Sequence, residues 1–214
     1  MKRSILVTGG DTYIGQLLVK SLEGQGDSVV ASVRPRNEKA KTKHEDIFIP
    51  WQRWSPVSAK NLVLESSRLL PSLDEVYFVI SPEADQRPIS GVSTQEIEME
   101  LDEWGKGFMF LVRELSLLWK ENHGVIRCLF FLEDEKKTNA SLSFTYEGAA
   151  AFFQALMKKQ PALPFDVYAY ECRNGDGEGF IQSVTGPQKA EKPGWVLYPA
   201  KGFSFGQNFR RSSL

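Results

Sequence analysis

The sequence predicts an α/β protein built on a doubly wound parallel sheet. Three observations carry that prediction. Short apolar runs alternate with longer amphipathic stretches along the chain, and this alternation demands right-handed crossovers that cover both faces of a parallel sheet. The first run, Ile5-Leu6-Val7, has no polar residue, as a strand buried on both faces requires. It breaks at Thr8-Gly9-Gly10 and passes at once into a helical pattern.

The elements follow in order. Gly9 can take backbone angles closed to other residues and turn the chain sharply. A helix follows, with Ile14, Leu17, Leu18 and Leu22 on one face. Gly15 sits in its first turn, where a missing side chain allows close approach to the sheet. Gly24 and Gly26 stop it. Val29, Val30 and Val33 make the second strand, and Asp46 to Ile49 the third. The stretch from Pro50 to Pro56 is an aromatic loop. Ser58 to Leu70 is a helix that Pro71 ends. Glu75 to Ile80 is a fourth, central strand, closed by Ser81-Pro82. A long helix is predicted from about Thr94 to Asn122. Ser93 and Glu96 stand at capping-box spacing, and the apolar stripe runs through Ile97, Leu101, Trp104, Phe108, Leu111, Val112, Leu115 and Leu118. Asn122-His123-Gly124 reads as its C-terminal cap. Val125 to Leu132 is the fifth strand, Phe144 to Lys159 a helix, Phe165 to Cys172 the sixth strand, and Trp195 to Tyr198 the seventh. The stretch from Arg173 to Gly194 is glycine-rich and polar, and reads as a mobile segment.

The strand, glycine turn and helix from Ser4 to Arg34 set backbone N–H groups at a helix N-terminus, where phosphate can sit. The turn itself, TGGDTYIG, resembles the TGGAGYIG turn of the extended short-chain dehydrogenase/reductases. Thr8, Gly9, Gly10, Tyr13, Ile14 and Gly15 match. Thr12 replaces the middle glycine and Asp11 a small residue; a β-branched side chain would crowd a pyrophosphate and an inward carboxylate would repel it. The resemblance implies a Rossmann-like sheet of about seven strands in the order 3-2-1-4-5-6-7. It implies one domain over residues 1–214, with 200–214 as a tail. It also implies a dinucleotide held by Thr8, Gly9, Gly10, Thr12, Tyr13, Ile14, Gly15, Arg34, Trp51 and Ser81. Where NAD-using relatives carry an acid after the second strand, this chain has Val33-Arg34, with Arg36, Lys39, Lys41 and Lys43 beyond. An arginine fork suits a 2′-phosphate, so NADP(H) is expected over NAD(H). Trp51 could stack on adenine or cover the sheet edge.

Enzymes of this family use a tyrosine to pass a proton to the substrate oxygen, with a lysine four residues later, a serine after the fifth strand and an asparagine in the long helix. A phenol near pKa 10 needs that nearby cation to act at neutral pH. Tyr146 stands at the tyrosine position and is the one candidate for catalysis. The lysine position holds Ala150, the serine position Glu133, and the asparagine position falls near Trp104. Three functions fit these residues. The leading one is an NADP(H)-binding protein whose reductase site has been lost, acting as sensor, partner or scaffold. The second is an active NADPH-dependent reductase using Tyr146 as general acid. The third binds no nucleotide, because Thr12 and Asp11 close the pocket.

Composition bounds the rest. The formal net charge of −1 gives no electrostatic case for nucleic acid or an anionic membrane. No apolar run has the length of a membrane span, and the N-terminus enters a strand without a secretory pattern. Cys128 and Cys172 fall in predicted buried strands and read as core residues. Two histidines without ligand spacing argue against a metal. A reducing cytoplasm is the expected compartment. The long helix and the Tyr146 helix resemble the pair that forms a four-helix dimer interface in the family. Trp104, Phe110, Trp119, Phe152 and Phe153 supply aromatic surface for such a homodimer.

Overall fold

Seven strands, all parallel, form one sheet in the order β3-β2-β1-β4-β5-β6-β7 in the computed structural model. The structure describes residues 2–35, 47–134, 138–159, 162–173, 176–186 and 193–198. The strands are β1 (Ser4–Val7), β2 (Ser28–Val33), β3 (Phe48–Pro50), β4 (Glu75–Ile80), β5 (Gly124–Phe131), β6 (Phe165–Cys172) and β7 (Trp195–Leu197). Every residue of β1 and β4 is buried: residues 5–7 and 76–80 as apolar runs, and Glu75 in ion pairs with Arg3 and Arg127.

Alternate strand residues feed two cores, because successive side chains point to opposite faces. On one face Leu6, Val76, Phe78, Ile126 and Phe130 pack under α2 (Pro56–Leu69), α4 (Gly107–Leu118) and α5 (Ala140–Lys158). On the other, Ile5, Val7, Val79, Leu129 and Phe131 pack under α1 (Tyr13–Gly24) and α6 (Gly177–Thr185). Phe108 is the hub of the first core, with its ring edge-on to Phe78 at 5.4 Å and tilted against Phe153 at 6.1 Å. Cys128 and Cys172 are buried in β5 and β6, and burial pushes the Cys128 thiol well up.

Three elements differ from the sequence reading. The long helix is α3 (Thr94–Leu101), a five-residue π segment (Asp102–Lys106) and α4, ending at Leu118 rather than Asn122. The capping box at Ser93 and Glu96 is formed. Gly124, expected as a cap, opens β5; its missing side chain makes room for the indole of Trp119, which a Cβ would approach to 2.1 Å. His123 instead lies 3.3 Å from Asp166. The helix carrying Tyr146 starts at Ala140, because the Asn139 side chain accepts from the Leu142 N–H and caps it. Part of the stretch expected to be mobile is helix α6, capped by Asp176, whose carboxylate accepts from the Gly179 N–H. Gly177 and Gly179 are there for close approach: a Cβ on Gly177 would lie 2.7 Å from the Tyr13 ring, and one on Gly179 would lie 2.6 Å from the Tyr198 hydroxyl. Lys39, Lys41, Lys43 and the tail 200–214 lie outside the described residues.

Candidate dinucleotide cleft

A cleft of about 760 Å³ opens at the C-terminal ends of the strands, beside β1 and β4 where the strand order reverses. This is the place where open α/β sheets bind ligands. Asp11, Thr12 and Tyr13 bring the glycine turn onto its lining, whereas Thr8, Gly9, Gly10, Ile14 and Gly15 are outside that lining. Gly9 has a φ of +73°, and a Cβ on Gly15 would lie 2.0 Å from the Gly9 carbonyl oxygen. The turn is tied to its neighbours by Gly9 N–H to the Ser32 hydroxyl and Gly10 N–H to the Ser32 carbonyl. Thr8 is buried and its hydroxyl accepts from Val79 N–H at 3.1 Å, fastening β1 to β4.

Thr12 is the N-cap of α1. Its hydroxyl accepts from the Gly15 N–H at 3.0 Å and donates to the Gly9 carbonyl at 2.8 Å. The Thr12 N–H also goes to Gly9. Of the donors that a helix start leaves over, the Tyr13 and Ile14 amides therefore remain for an anion. Thr12 points its hydroxyl into the turn rather than outward. Tyr13, 59% exposed, lines the cleft, as does Ser81 at the end of β4. The Ile14 side chain is fully buried in the core, outside the cleft lining.

The far end of β2 differs from expectation. Arg34 does lie on the cleft, but its Nε donates to Asp11 Oδ2 at 2.7 Å. Burial works against the Asp11 charge; the Arg34 hydrogen bond and charge, with Arg53, outweigh it and hold the carboxyl below its usual range. Glu83 and Glu103 stand 3.8 and 3.9 Å from the other Arg34 nitrogens. Trp51, a candidate for adenine stacking, is 1% exposed. Its indole faces the Arg53 guanidinium at 5.1 Å and Phe108 at 6.3 Å, so no open face is left for a base.

Tyr146 is placed outside the cleft lining. It is 2% exposed, edge-on to Phe130 at 5.5 Å, with the Arg173 guanidinium 5.7 Å from its ring and, among the described residues, no hydrogen-bond partner for its hydroxyl. Burial pushes its pKa far up and the Glu171 charge adds to this. The lysine position, Ala150, is buried one turn on. Glu133 and Trp104 both line the cleft; Trp104 lies in the π segment with its ring 4.8 Å from the Arg53 guanidinium. Among the described residues, no group of three or more His, Cys, Asp or Glu is placed to hold a metal ion, and no helix is long and apolar enough to cross a membrane.

Sequence reasoning missed Arg53 altogether. It is 4% exposed beneath the turn, with one nitrogen 3.6 Å from Glu103. Burial lowers its pKa, and the Glu103 and Asp11 charges oppose that. The signal was Gly107, since a Cβ there would lie 2.7 Å from Arg53 Cβ: the helix must run against this residue.

A parallel seven-stranded sheet in this order, with a glycine turn opening its switch-point cleft, is the fold of the short-chain dehydrogenase/reductases. No family model and no curated protein sequence matches the chain. Solved structures match closely in fold. One is 3-ketoacyl-(acyl-carrier-protein) reductase from Brucella melitensis complexed with NADH, with a TM-score of 0.77 at 15% identity over 91% of this chain and 95% of that one. Another is a metagenomic short-chain oxidoreductase in complex with NADP, at 0.76 and 13% identity over 92% and 97%. A third is enoyl-[acyl-carrier-protein] reductase (NADH) from Aquifex aeolicus, at 0.71 and 18% identity over 92% and 94%.

Proposed function

We propose that the chain is a short-chain dehydrogenase/reductase that holds a nicotinamide dinucleotide in this cleft and has lost the family's proton relay. The observation that carries the reading is the contrast between the glycine turn and Tyr146. The Gly9–Gly15 turn keeps the positive φ that favours glycine, the close approach of Gly15 to the Gly9 carbonyl and the two first-turn amides that a pyrophosphate needs. Tyr146 is buried, without a hydrogen-bond partner for its hydroxyl among the described residues, and driven toward the neutral phenol. When bound, the dinucleotide would supply hydride chemistry. On this chain the Tyr13 and Ile14 amides would hold its pyrophosphate, and Tyr13 and Ser81 would flank it. Among the described residues that line the cleft, no lysine stands beside a tyrosine, and on this reading the chain binds or senses the nucleotide rather than turning it over.

The test is calorimetric titration with NADH, followed by a carbonyl-reduction assay. Binding without turnover, unchanged in Tyr146→Phe, is the expected result. Turnover that disappears in Tyr146→Phe would sink the loss of the relay, and absence of any dinucleotide binding would sink the ligand.

A homodimer belongs to the same reading, with a changed surface. Trp104, Trp119 and Phe153, expected on the interface, are buried in the core. The outer side of α5 instead presents Phe144, 68% exposed, with Gly148, Ala151 and Ala155 also exposed at helical spacing. Met109 and Leu117 are exposed on α4. Light scattering is expected to report a dimer, and Phe144→Glu a monomer; a monomeric wild type at high concentration would refute it.

A further inference from the structure

Arg34 directly follows β2, the place from which an arginine reaches the 2′-phosphate of a dinucleotide. In this chain the guanidinium already has an anion. Asp11 Oδ2 takes its Nε at 2.7 Å, and the Asp11 side chain is only 1% exposed. The acid comes from the glycine turn, at a position where the resembled motif carries a small residue, and not from the strand end. Behind it lies the buried Arg53, whose charge also acts on Asp11. Around the remaining Arg34 nitrogens stand Glu83 and Glu103. A dianionic phosphate arriving here must either displace Asp11, depriving a buried carboxylate of its Arg34 ion pair, or settle beside three carboxylates. Both are costly.

We propose that Asp11 is the specificity-determining residue of the cleft: it occupies the Arg34 guanidinium, shuts out a 2′-phosphate, and restricts the site to nucleotides with a free ribose 2′-hydroxyl, NAD(H) among them. This reverses the NADP(H) preference that Arg34 suggests in the sequence. It rests on the dinucleotide reading of the cleft. The pair acts as an internal stand-in for the phosphate: the carboxylate supplies the charge-assisted hydrogen bond that the phosphate would otherwise make.

The experiment titrates 2′,5′-ADP and 5′-ADP into wild type, Asp11→Ser and Asp11→Asn. The asparagine variant keeps the volume of the buried side chain should serine loosen the turn, and circular dichroism verifies that each is folded. Freeing Arg34 is expected to tighten 2′,5′-ADP about ten-fold in both variants, with 5′-ADP changed much less. Adding Arg34→Ser to either is expected to remove the gain. Equal affinity for 2′,5′-ADP in wild type and variants, undetectable binding in all of them included, overturns the proposal. So does weaker binding in the variants, which would mean that Asp11 orients Arg34 toward the phosphate. NADH titration of wild type judges the dinucleotide reading separately: a 2′,5′-ADP site gained in the variants, with no NADH bound by wild type, supports the role of Asp11 and removes the dinucleotide.

Discussion

Replacing Gly15 with alanine is expected to cost about 3 kcal/mol, the upper part of the range for overpacking, and to abolish nucleotide binding. The added Cβ would lie 2.0 Å from the Gly9 carbonyl oxygen and 2.8 Å from its carbonyl carbon. Both are backbone atoms, so no rotamer change relieves the clash. Gly9 cannot retreat easily either. Its N–H is held by the Ser32 hydroxyl, and its carbonyl accepts from both the Thr12 amide and the Thr12 hydroxyl. Opening the turn therefore loses the α1 cap and moves the Tyr13 and Ile14 amides off their aim. For a chain of this size the loss corresponds to a drop of about 6–12 °C in Tm. Gly24→Ala is the control, because a Cβ there meets nothing within 4 Å. A Gly15→Ala variant that melts with wild type would show that the turn is not held as described.

The fold was legible because its signals are local and repeated. Apolar runs such as Val76 to Ile80 can be buried on both faces only in a parallel sheet. The Ser93 and Glu96 capping box and the Gly9 turn each name one conformation. What escaped was set by tertiary contact. Helix α6 was hidden because Gly177 and Gly179 look like flexibility, whereas they answer to the Tyr13 ring and the Tyr198 hydroxyl. The stripe Phe180, Ile181 and Val184 was the available sign. The π segment was hidden inside an unbroken helical pattern, yet it brings Glu103 to the cleft and Trp104 onto Arg53. Of the residues named from sequence, Thr12, Tyr13, Arg34 and Ser81 line the cleft. That Asp11 and Arg34 neutralise each other could not be read there, because they are 23 residues apart and each has an ordinary solvated role on its own.

Truncating Arg53 to alanine is expected to destabilise the protein by about 3–5 kcal/mol, the loss typical when one member of a buried charge network is removed. Cations are almost never fully buried unless paired, which is why this one reads as a loop residue in the sequence. In the fold its guanidinium lies 5.1 Å from the Trp51 ring, 4.8 Å from Trp104 and 5.4 Å from Phe108, and 3.6 Å from a Glu103 oxygen. Alanine leaves a cavity under the glycine turn, forfeits the cation–π contacts, and takes from Asp11 and Glu103 a positive charge. Arg53→Met separates the two contributions: it fills the space without the charge, so packing is recovered and the electrostatic loss remains. The pH dependence identifies that remainder. The Asp11 pKa is lower in the folded state than in the unfolded one, so its stabilisation is complete above the unfolded value of about 4 and is lost as pH falls through the folded value. Without Arg53 the folded pKa rises toward the unfolded one, and Asp11 contributes less at neutral pH. Urea denaturation at pH 7 and pH 3 should therefore show the Met variant less stable than wild type at pH 7, with the gap narrowing at pH 3. A gap that stays constant with pH would assign the whole effect to packing, and a Met variant as stable as wild type at pH 7 would mean that burying the guanidinium costs as much as its partners return.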